Sequence, residues 1–338
     1  MNVKGPKQLL KPLLSKLNFA VGRNPLILKG FDKEKFIPSP YRSVVLISAD
    51  FELAWAPRYD KFKPDALGFA LEKARVERAN FPLIIQCCEK YNIPVTWATV
   101  GHLFLHSCLP HKGKKHPEIP AIQNYTGPYW DFKGEDWFEY DPCTDVFRDP
   151  EWYAPDLIKQ ITGSPVKHEI ACHTFSHMDC RDDICEPEVF RADVRECKRL
   201  ASEQGIEMKS FVHPGHTIGN LEVLAEEGFT NFRTDYRNVL GYPKKHGNGL
   251  WELEQTREFR YYDYWSIDYQ VYRYREIIKR AIKSNTVCVF WFHPSFNPLV
   301  VNEIWPEVFR YLDENRDKIW ITTHSEYFSW LEKHGNRA

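Results

Sequence analysis

The chain has 338 residues, of which 45 are basic and 46 acidic, giving a formal net charge of −1. Nucleic-acid-binding proteins normally carry a basic excess, so this balance excludes nucleic acid as an expected partner. Hydrophobic residues make up 43% of the chain and aromatic residues 15%, which suffices for a large core and leaves aromatic rings for a binding cleft.

The nine cysteines are scattered, odd in number and not arranged in paired C-x-x-C motifs. This pattern predicts free, buried thiols in a reducing compartment. The N-terminal region has no uninterrupted apolar stretch, so we do not expect a secretory signal, and the chain has no apolar run long enough to span a bilayer. We therefore predict a cytoplasmic protein.

Residues 1–40 form a predicted N-terminal segment that is basic and amphipathic. Lysines and arginines alternate with leucines over residues 4–29, and no acidic side chain precedes Asp32. Such a segment can lie on an anionic membrane surface, here the inner face of the cell membrane. The alternative is a helix packed on the domain or a frayed arm. Pro12 is expected to interrupt a helix in this region.

From residue 43 onward, short apolar strands alternate with amphipathic helices. The first predicted strand is followed by two helical stretches, around 67–79 and 82–91, and later helices have apolar stripes at residues 190–200 and 300–312. Seven strands are predicted, at residues 43–48, 95–100, 169–172, 210–213, 232–234, 286–292 and 319–322. This alternation predicts an α/β fold, a distorted (β/α) barrel of about seven parallel strands, with an open doubly wound sheet as the alternative.

Residues 105–165 interrupt the alternation and are rich in Pro, Trp, Tyr and Asp. Long loops inside compact domains usually serve a function, and the aromatic content argues against disorder. We predict that this insertion is an ordered lid or wall over a cleft. Four histidines at its start, His102, His106, His111 and His116, are loosely spaced and are predicted to be solvated.

Carboxylates and imidazoles follow four of the predicted strands, where the reactive groups of an α/β barrel lie. They are Asp50 and Glu52, then His173 and His177, then His213 and His216, and finally His293. His173 and His177 would share one side of a helical turn and, with a carboxylate, form a His₂–carboxylate metal site that leaves a position for water. Each piece also occurs in proteins as ordinary hydrogen-bonded side chains.

Over residues 40–325 the chain resembles the polysaccharide deacetylases, which share the NodB homology domain of carbohydrate esterase family 4. The acidic motif resembles the segment ending in Asp50 and Glu52, and the H-[ST]-x-x-H motif matches His173–His177. The R-x-P-x-G motif resembles residues 212–216, and the final motif resembles the apolar strand that ends in His293. The resemblance implies a catalytic domain over residues 41–335, in a branch similar to the envelope and lipopolysaccharide sugar deacetylases.

The chain departs from this family pattern at two places. The motif arginine that would orient the base is Val212 here, so another cation, such as Arg58 or Arg233, is expected to replace it. The family aspartate that pairs with the catalytic histidine has no clear match. The candidates for that partner are Asp235, Asp263 and Asp268.

The resemblance implies a metal-dependent removal of an N-acetyl or other N-acyl group from an amino sugar in bacterial envelope polysaccharide or lipopolysaccharide biosynthesis. Glu52, His173 and His177 would bind one divalent ion, Zn²⁺ in the first place, with Co²⁺, Ni²⁺ or Mn²⁺ as alternatives. Asp50 would be the general base and His293 the acid that protonates the departing amine. The substrate would be a nucleotide- or lipid-linked sugar.

The predicted substrate contacts are His213, His216, Trp55, Arg58 and Trp130. Trp137 and Trp152 could stack on a sugar in the same way as Trp55 and Trp130. Core packing is the alternative for all four tryptophans and is favoured for Trp55, and a hydrogen-bonded loop histidine is the alternative for His213 and His216. Two other functions stay open from sequence: an amidase acting on a small non-sugar substrate such as a cyclic ureide, and a non-catalytic sugar-binding relative, which the absence of the motif arginine favours.

Overall fold

The structure, a computed structural model, describes residues 6–28, 33–120, 122, 125–128, 130–132 and 136–334, with only the backbone for residues 6–11. The helices among these residues are α1 (Pro6–Ala20), α2 (Ala66–Lys90), α3 (Pro155–Gly163), α4 (Pro187–Glu203), α5 (Leu221–Glu226), α6 (Ile267–Ser284), α7 (Trp305–Asp313) and α8 (His324–His334). The strands are β1 (Leu26–Ile27), β2 (Ser43–Phe51), β3 (Thr96–Thr99), β4 (Glu169–Cys172), β5 (Ser210–Val212), β6 (Asn231–Thr234), β7 (Val239–Leu240), β8 (Lys244–Lys245), β9 (Trp251–Glu254), β10 (Arg257–Glu258), β11 (Val287–Phe292) and β12 (Ile319–Thr322).

One mixed sheet organises the fold, in the order β10-β11-β2-β3-β4-β5-β6-β9-β8, and all its pairs are parallel except β8 with β9. Every residue of β2 is buried, as expected for a strand covered on both faces. β12 pairs with the first half of β2 and β3 with the second half, both on the side opposite β11. Because these strands are parallel, their carboxyl ends lie at one edge.

The extended segment 251–258 joins the two ends of this curled sheet. Its first half, β9, pairs with β6, and its second half, β10, pairs with β11. All seven predicted strands are present as β2, β3, β4, β5, β6, β11 and β12. The predicted number was too low, because the main sheet also contains β8, β9 and β10, whose two to four residues are too short to give a hydrophobic periodicity.

The helices cover the sheet and bury apolar stripes against it. In α4 the predicted stripe is buried, and in α7 and the π-helical turn before it the residues at spacing four are buried. The prediction of two helices over 67–91 was wrong, since α2 continues through Pro82. A proline removes one helical hydrogen bond, and apolar residues buried on both sides of Pro82, Phe81 and Ile84 among them, offset that cost.

Helix α1 packs on α6 through Phe19, which is buried beside the ring of Tyr272 and below the guanidinium of Arg273. Pro12 lies inside α1, so the expected interruption of the helix is absent. Leu13, Leu14 and Leu17 remain more than half exposed. None of the described helices contains an apolar stretch of the length that a bilayer span requires.

The segment from Leu105 to Ala154 has no helix or strand in its described residues. Its aromatic rings nevertheless pack closely, with Trp137 5.2 Å from Tyr59 and Trp152 5.3 Å from Trp55 between ring centroids. The described part of the segment is therefore held mainly by side-chain packing, with isolated backbone bridges such as that between Ser107 and Asp145. Its description as an insertion and the domain limits at residues 40 and 41 stay predictions.

Candidate active site

The carboxyl ends of the parallel strands bring the predicted chemical groups together. Asp50 is the next-to-last residue of β2, His173 follows β4, and His293 follows β11. β2 and β11 are direct neighbours, with Ala49 opposite Phe292, so Asp50 and His293 leave the sheet side by side. The expectation that strand ends deliver these side chains to one place agrees with this geometry.

Glu52, His173 and His177 converge on one point. The Nε2 atoms of His173 and His177 lie 2.9 Å and 3.2 Å from Oε1 of Glu52, and all three side chains are buried. One ligand atom from each lies within 4.8 Å of the others, and the same holds for Asp50, Glu52 and His293. The three predicted metal ligands thus meet in space, beside the predicted base.

The loop that carries the two histidines is not a helical turn, contrary to expectation. Thr174 and His177 have φ values of 60° and 53°, in the left-handed region, which excludes a helix. Asp193 of α4, fully buried, accepts hydrogen bonds from the backbone N–H of Phe175 and the hydroxyl of Ser176. These bonds, rather than helical spacing, bring both rings to the same side.

The donor set fits a divalent cation. Nδ1 of His173 lies 2.7 Å from the carbonyl oxygen of Val212, which can only accept, so Nε2 is the ring atom left to bind an ion beside Glu52. Burial lowers the pKa of His177 to about 4, which keeps that ring neutral. Burial raises the pKa of Glu52, but His293, His177 and His173 outweigh it and hold that pKa well below its usual range. Two imidazoles and a carboxylate are a donor set that Zn²⁺ favours.

Arg233 supplies the cation that the sequence lacks at Val212. Arg233 lies on β6 directly opposite Val212 of β5, and it donates to Oδ2 of Asp50 and to Oγ of Ser48, each over 2.7 Å. Burial raises the pKa of Asp50, yet the Arg233 guanidinium outweighs it and leaves that pKa below its usual value. Oδ1 of Asp50 is buried and has no hydrogen-bond partner among the described residues.

Glu258 is the acidic partner of His293, and the three aspartates proposed from sequence are not. Oε1 of Glu258 lies 3.7 Å from Nδ1 of His293, while Oε2 of Glu52 lies 3.8 Å from its Nε2. Burial lowers the pKa of His293, but the surrounding carboxylates, Glu52 first, raise it to about 9. Asp235 contacts His216 instead, at 3.4 Å, and the other two candidates, Asp263 and Asp268, are exposed.

An open cavity of about 580 Å³ lies over these residues. Its lining includes two of the predicted substrate contacts, Trp130 and His216, and aromatic rings that the prediction did not include: Phe62, Phe69, Tyr261 and Phe296. The cavity is therefore both polar at its base and aromatic on its walls, as small-molecule sites usually are.

Three predicted substrate contacts lie below the cavity rather than on it. Trp55 is fully buried and packs on Trp152. The buried Arg58 donates to the backbone carbonyls of Trp55 and Ser176, so it neither reaches Asp50 nor faces the cavity. His213 is buried, with Nε2 3.0 Å from the carbonyl of Gly219. Trp137 and Trp152 are buried in the same way as Trp55.

Sequence reasoning missed Glu77, Asp193 and Glu258. Glu77 lines the cavity and accepts from the backbone N–H of Glu52 at 3.2 Å, and burial, with the nearby Glu52, raises its pKa to about 8. The sequence did contain a sign of this residue's role, because Glu77 interrupts the apolar stripe of α2 between Ala74 and Phe81. Glu258 lies on a strand of two residues and left no such signal.

Three solved structures illustrate which proteins share this fold. A protein assigned as a polysaccharide deacetylase from Mycobacterium smegmatis has a TM-score of 0.62 at 14% identity, over 92% of this chain and 95% of that one. A probable polysaccharide deacetylase from Pseudomonas aeruginosa PAO1 has a TM-score of 0.60 at 10% identity, over 90% and 95%. PuuE allantoinase has a TM-score of 0.58 at 12% identity, over 89% and 94%.

No protein-family model matches the chain, and no curated protein matches it in sequence. At these identities the structural similarity concerns the arrangement of helices and strands. It extends over nearly the full length of the three solved chains. The chain therefore has the fold of the polysaccharide deacetylases, which the allantoinase shares.

Proposed function

We propose that this protein is a metal-dependent hydrolase that removes an N-acyl group from an amino sugar. The observation that carries the proposal is the convergence of Glu52, His173 and His177 beside Asp50, whose Oδ1 has no hydrogen-bond partner in the described part of the chain. Glu52, His173 and His177 would hold the ion, Zn²⁺ in the first place and Co²⁺, Ni²⁺ or Mn²⁺ otherwise. A bound ion of this kind polarises the amide carbonyl and makes water a better nucleophile.

The chain's own residues supply the proton transfers. Asp50 stays ionised at neutral pH because of Arg233, so its free Oδ1 can take a proton from the attacking water. His293, whose pKa is raised to about 9, is protonated at neutral pH and can give a proton to the departing amine nitrogen. Base and acid thus hold the opposite charges that amide hydrolysis requires before the reaction begins.

The cavity favours a sugar over a cyclic ureide. The allantoinase with the same fold makes the ureide amidase the second candidate. A small ureide would suit a closed pocket, whereas this cavity is open and has aromatic walls, including Trp130, on which a sugar ring could stack. The argument for a non-catalytic relative was the missing motif arginine, and Arg233 in contact with Asp50 removes that argument.

We further propose a cytoplasmic, nucleotide- or lipid-linked substrate in envelope polysaccharide or lipopolysaccharide synthesis. All nine cysteines are unpaired, which suits a reducing compartment. The exposed Leu13, Leu14 and Leu17 on α1, with Lys16 beside them, would suit reversible contact with an anionic membrane surface that carries such a lipid.

The decisive experiment measures acetate release from N-acetylated amino sugars by protein loaded with Zn²⁺. We expect release by the wild type, loss of at least a hundredfold in Asp50→Asn, and retention in Asp317→Asn, an exposed aspartate outside the cavity. The ureide allantoin is the parallel substrate. Release of acetate by Asp50→Asn at the wild-type rate would contradict the proposed base, and hydrolysis of allantoin alone would favour the second candidate.

A further inference from the structure

A second group of metal-ligating side chains lies outside the cavity. It consists of His102, Cys108, His116 and Asp141, whose ligand atoms all lie within 4.8 Å of one another. His102 belongs to the 3₁₀ turn that follows β3, and the others to the irregular segment 105–154. His102, His116 and Asp141 are buried and Cys108 is half-buried, so the prediction of solvated histidines was wrong for two of the four. His106 and His111 are exposed, as predicted.

The four side chains aim at a common point. Oδ2 of Asp141 lies 3.1 Å from Nε2 of His102, 2.8 Å from Nε2 of His116 and 3.4 Å from Sγ of Cys108. Two imidazole nitrogens, a thiolate and a carboxylate oxygen are all Zn²⁺ ligands, and four ligands complete its preferred tetrahedron. With every position taken by protein, such a site leaves none for water and is structural rather than catalytic.

The outer partner of His102 directs its other ring nitrogen toward this point. Nδ1 of His102 lies 3.1 Å from the carbonyl oxygen of Trp152, which can only accept a hydrogen bond. When the single N–H of a neutral imidazole points outward to such an oxygen, Nε2 presents a lone pair to the centre. Nδ1 of His116 lies 3.7 Å from a carboxylate oxygen of Glu118, too far for a hydrogen bond, and its Nε2 also faces Asp141. A lone pair of His102 that faces the Asp141 carboxylate is unfavourable unless a cation lies between them.

Asp141 is held so that one oxygen is left for the centre. Its Oδ1 accepts from the backbone N–H of Cys143 at 2.9 Å and from the hydroxyl of Tyr153 at 3.4 Å, whereas Oδ2 faces the histidines and Cys108. His116 has a φ of 45°, a left-handed conformation that a non-glycine residue adopts only when its surroundings hold it there.

We propose that His102, Cys108, His116 and Asp141 bind a structural Zn²⁺ ion that holds segment 105–154 in its folded form. His102 precedes this segment, Cys108 and His116 lie near its start and Asp141 near its end, so one ion would reinforce the short backbone pairing that already joins Ser107 to Asp145. The segment contributes Trp130 to the cavity wall. The ion would therefore keep that wall in place without touching the reacting groups.

Cobalt substitution distinguishes this site from the proposed active site. A thiolate bound to Co²⁺ gives a sulfur-to-metal charge-transfer band in the near ultraviolet, and only the second site has a cysteine ligand. We expect two equivalents of Co²⁺ in the wild type, and one, without this band, in Cys108→Ser. His173→Ala should also retain one equivalent, but with the band unchanged. Cys87→Ser, which removes a buried thiol on α2 away from this cluster, is the control and should keep both equivalents and the band.

The wild-type spectrum tests the proposal even if Cys108→Ser fails to fold. A wild-type protein that binds no Co²⁺ through a thiolate overturns it, as does a band that persists in folded Cys108→Ser or disappears in folded Cys87→Ser. Zinc content and limited proteolysis give a second readout: chelation should release the ion of His173→Ala and increase cleavage within segment 105–154. The proposal does not depend on the proposed activity, because an inactive protein would still give the band.

Discussion

Replacing Arg233 by methionine should destabilise the protein through the charge that it leaves behind. The Arg233 and Asp50 side chains are 0% and 5% exposed and joined over 2.7 Å, so Arg233→Met would strand a carboxylate in the interior. Removing one partner of a buried pair costs about 3–5 kcal/mol. The penalty at pH 7 is also limited to about 4 kcal/mol, the cost of protonating a carboxyl group of ordinary pKa at that pH. We therefore expect the free energy of unfolding to fall by about 3–4 kcal/mol at pH 7.

This destabilisation should depend on pH and on Asp50. In the variant the pKa of Asp50 in the folded state rises above its unfolded value, so the loss should be small near pH 4 and grow as the pH rises toward 7. Urea unfolding followed by tryptophan fluorescence, with a chelator present, measures it. Adding Asp50→Asn should recover most of the loss, since the stranded charge is gone. Arg237→Met, which breaks a surface ion pair with Glu254, is the control and should cost less than about 1 kcal/mol. An equal loss in the presence of Asp50→Asn would refute the reasoning.

Three further changes test the neighbouring groups. Glu258→Gln should lower the pKa of His293 from about 9, so the alkaline limb of the kcat/KM profile should move to lower pH while the acidic limb stays; an unmoved alkaline limb would argue against this pairing. In the folded protein the pKa of Glu77 is raised from 4.5 to about 8, so this side chain ionises at lower pH in the unfolded chain, and the free energy of unfolding falls between these two pH values. In metal-free protein, thermal melting should therefore show Glu77→Gln equal in stability to the wild type near pH 4 and more stable by about 2–4 kcal/mol at pH 8. Asp193→Ala should release the loop that carries His177 and weaken Zn²⁺ binding roughly 10–100-fold in a competition titration, with a smaller effect of Asp193→Asn, which keeps an acceptor.

The strands and the histidine positions could be predicted because both leave local signals. β2 and β11 are continuous apolar runs, and a polar side chain that directly follows such a run can be recognised from the sequence alone. From the sequence, Arg233 could be named only as one of two candidates for the cation beside Asp50. Its role depends on the register of β5 and β6, which places it opposite Val212. Register between distant strands is a tertiary property that periodicity does not reveal.

Groups that depend on long-range packing were predicted poorly. Glu258 faces His293 only because β10 pairs with β11, a contact between residues far apart in the chain. Cys108 and Asp141 likewise meet within a segment that has no periodic pattern at all. Hydrophobic periodicity describes how an element meets its surroundings, and it carries no information on which two loops meet each other.

The extended segment 251–258 connects the surroundings of the proposed base, Asp50, with those of the proposed acid, His293. Its first half, β9, pairs with β6 and places Leu253 opposite Arg233, the residue that keeps Asp50 ionised. Its second half, β10, presents Glu258 to His293. Between them, Thr256 donates its hydroxyl to the carbonyl of Val239 and its N–H to the carbonyl of Val289. A shift of the chain at Thr256 would thus disturb Arg233 and Glu258 together, so one stretch of backbone influences the ionisation of both the base and the acid.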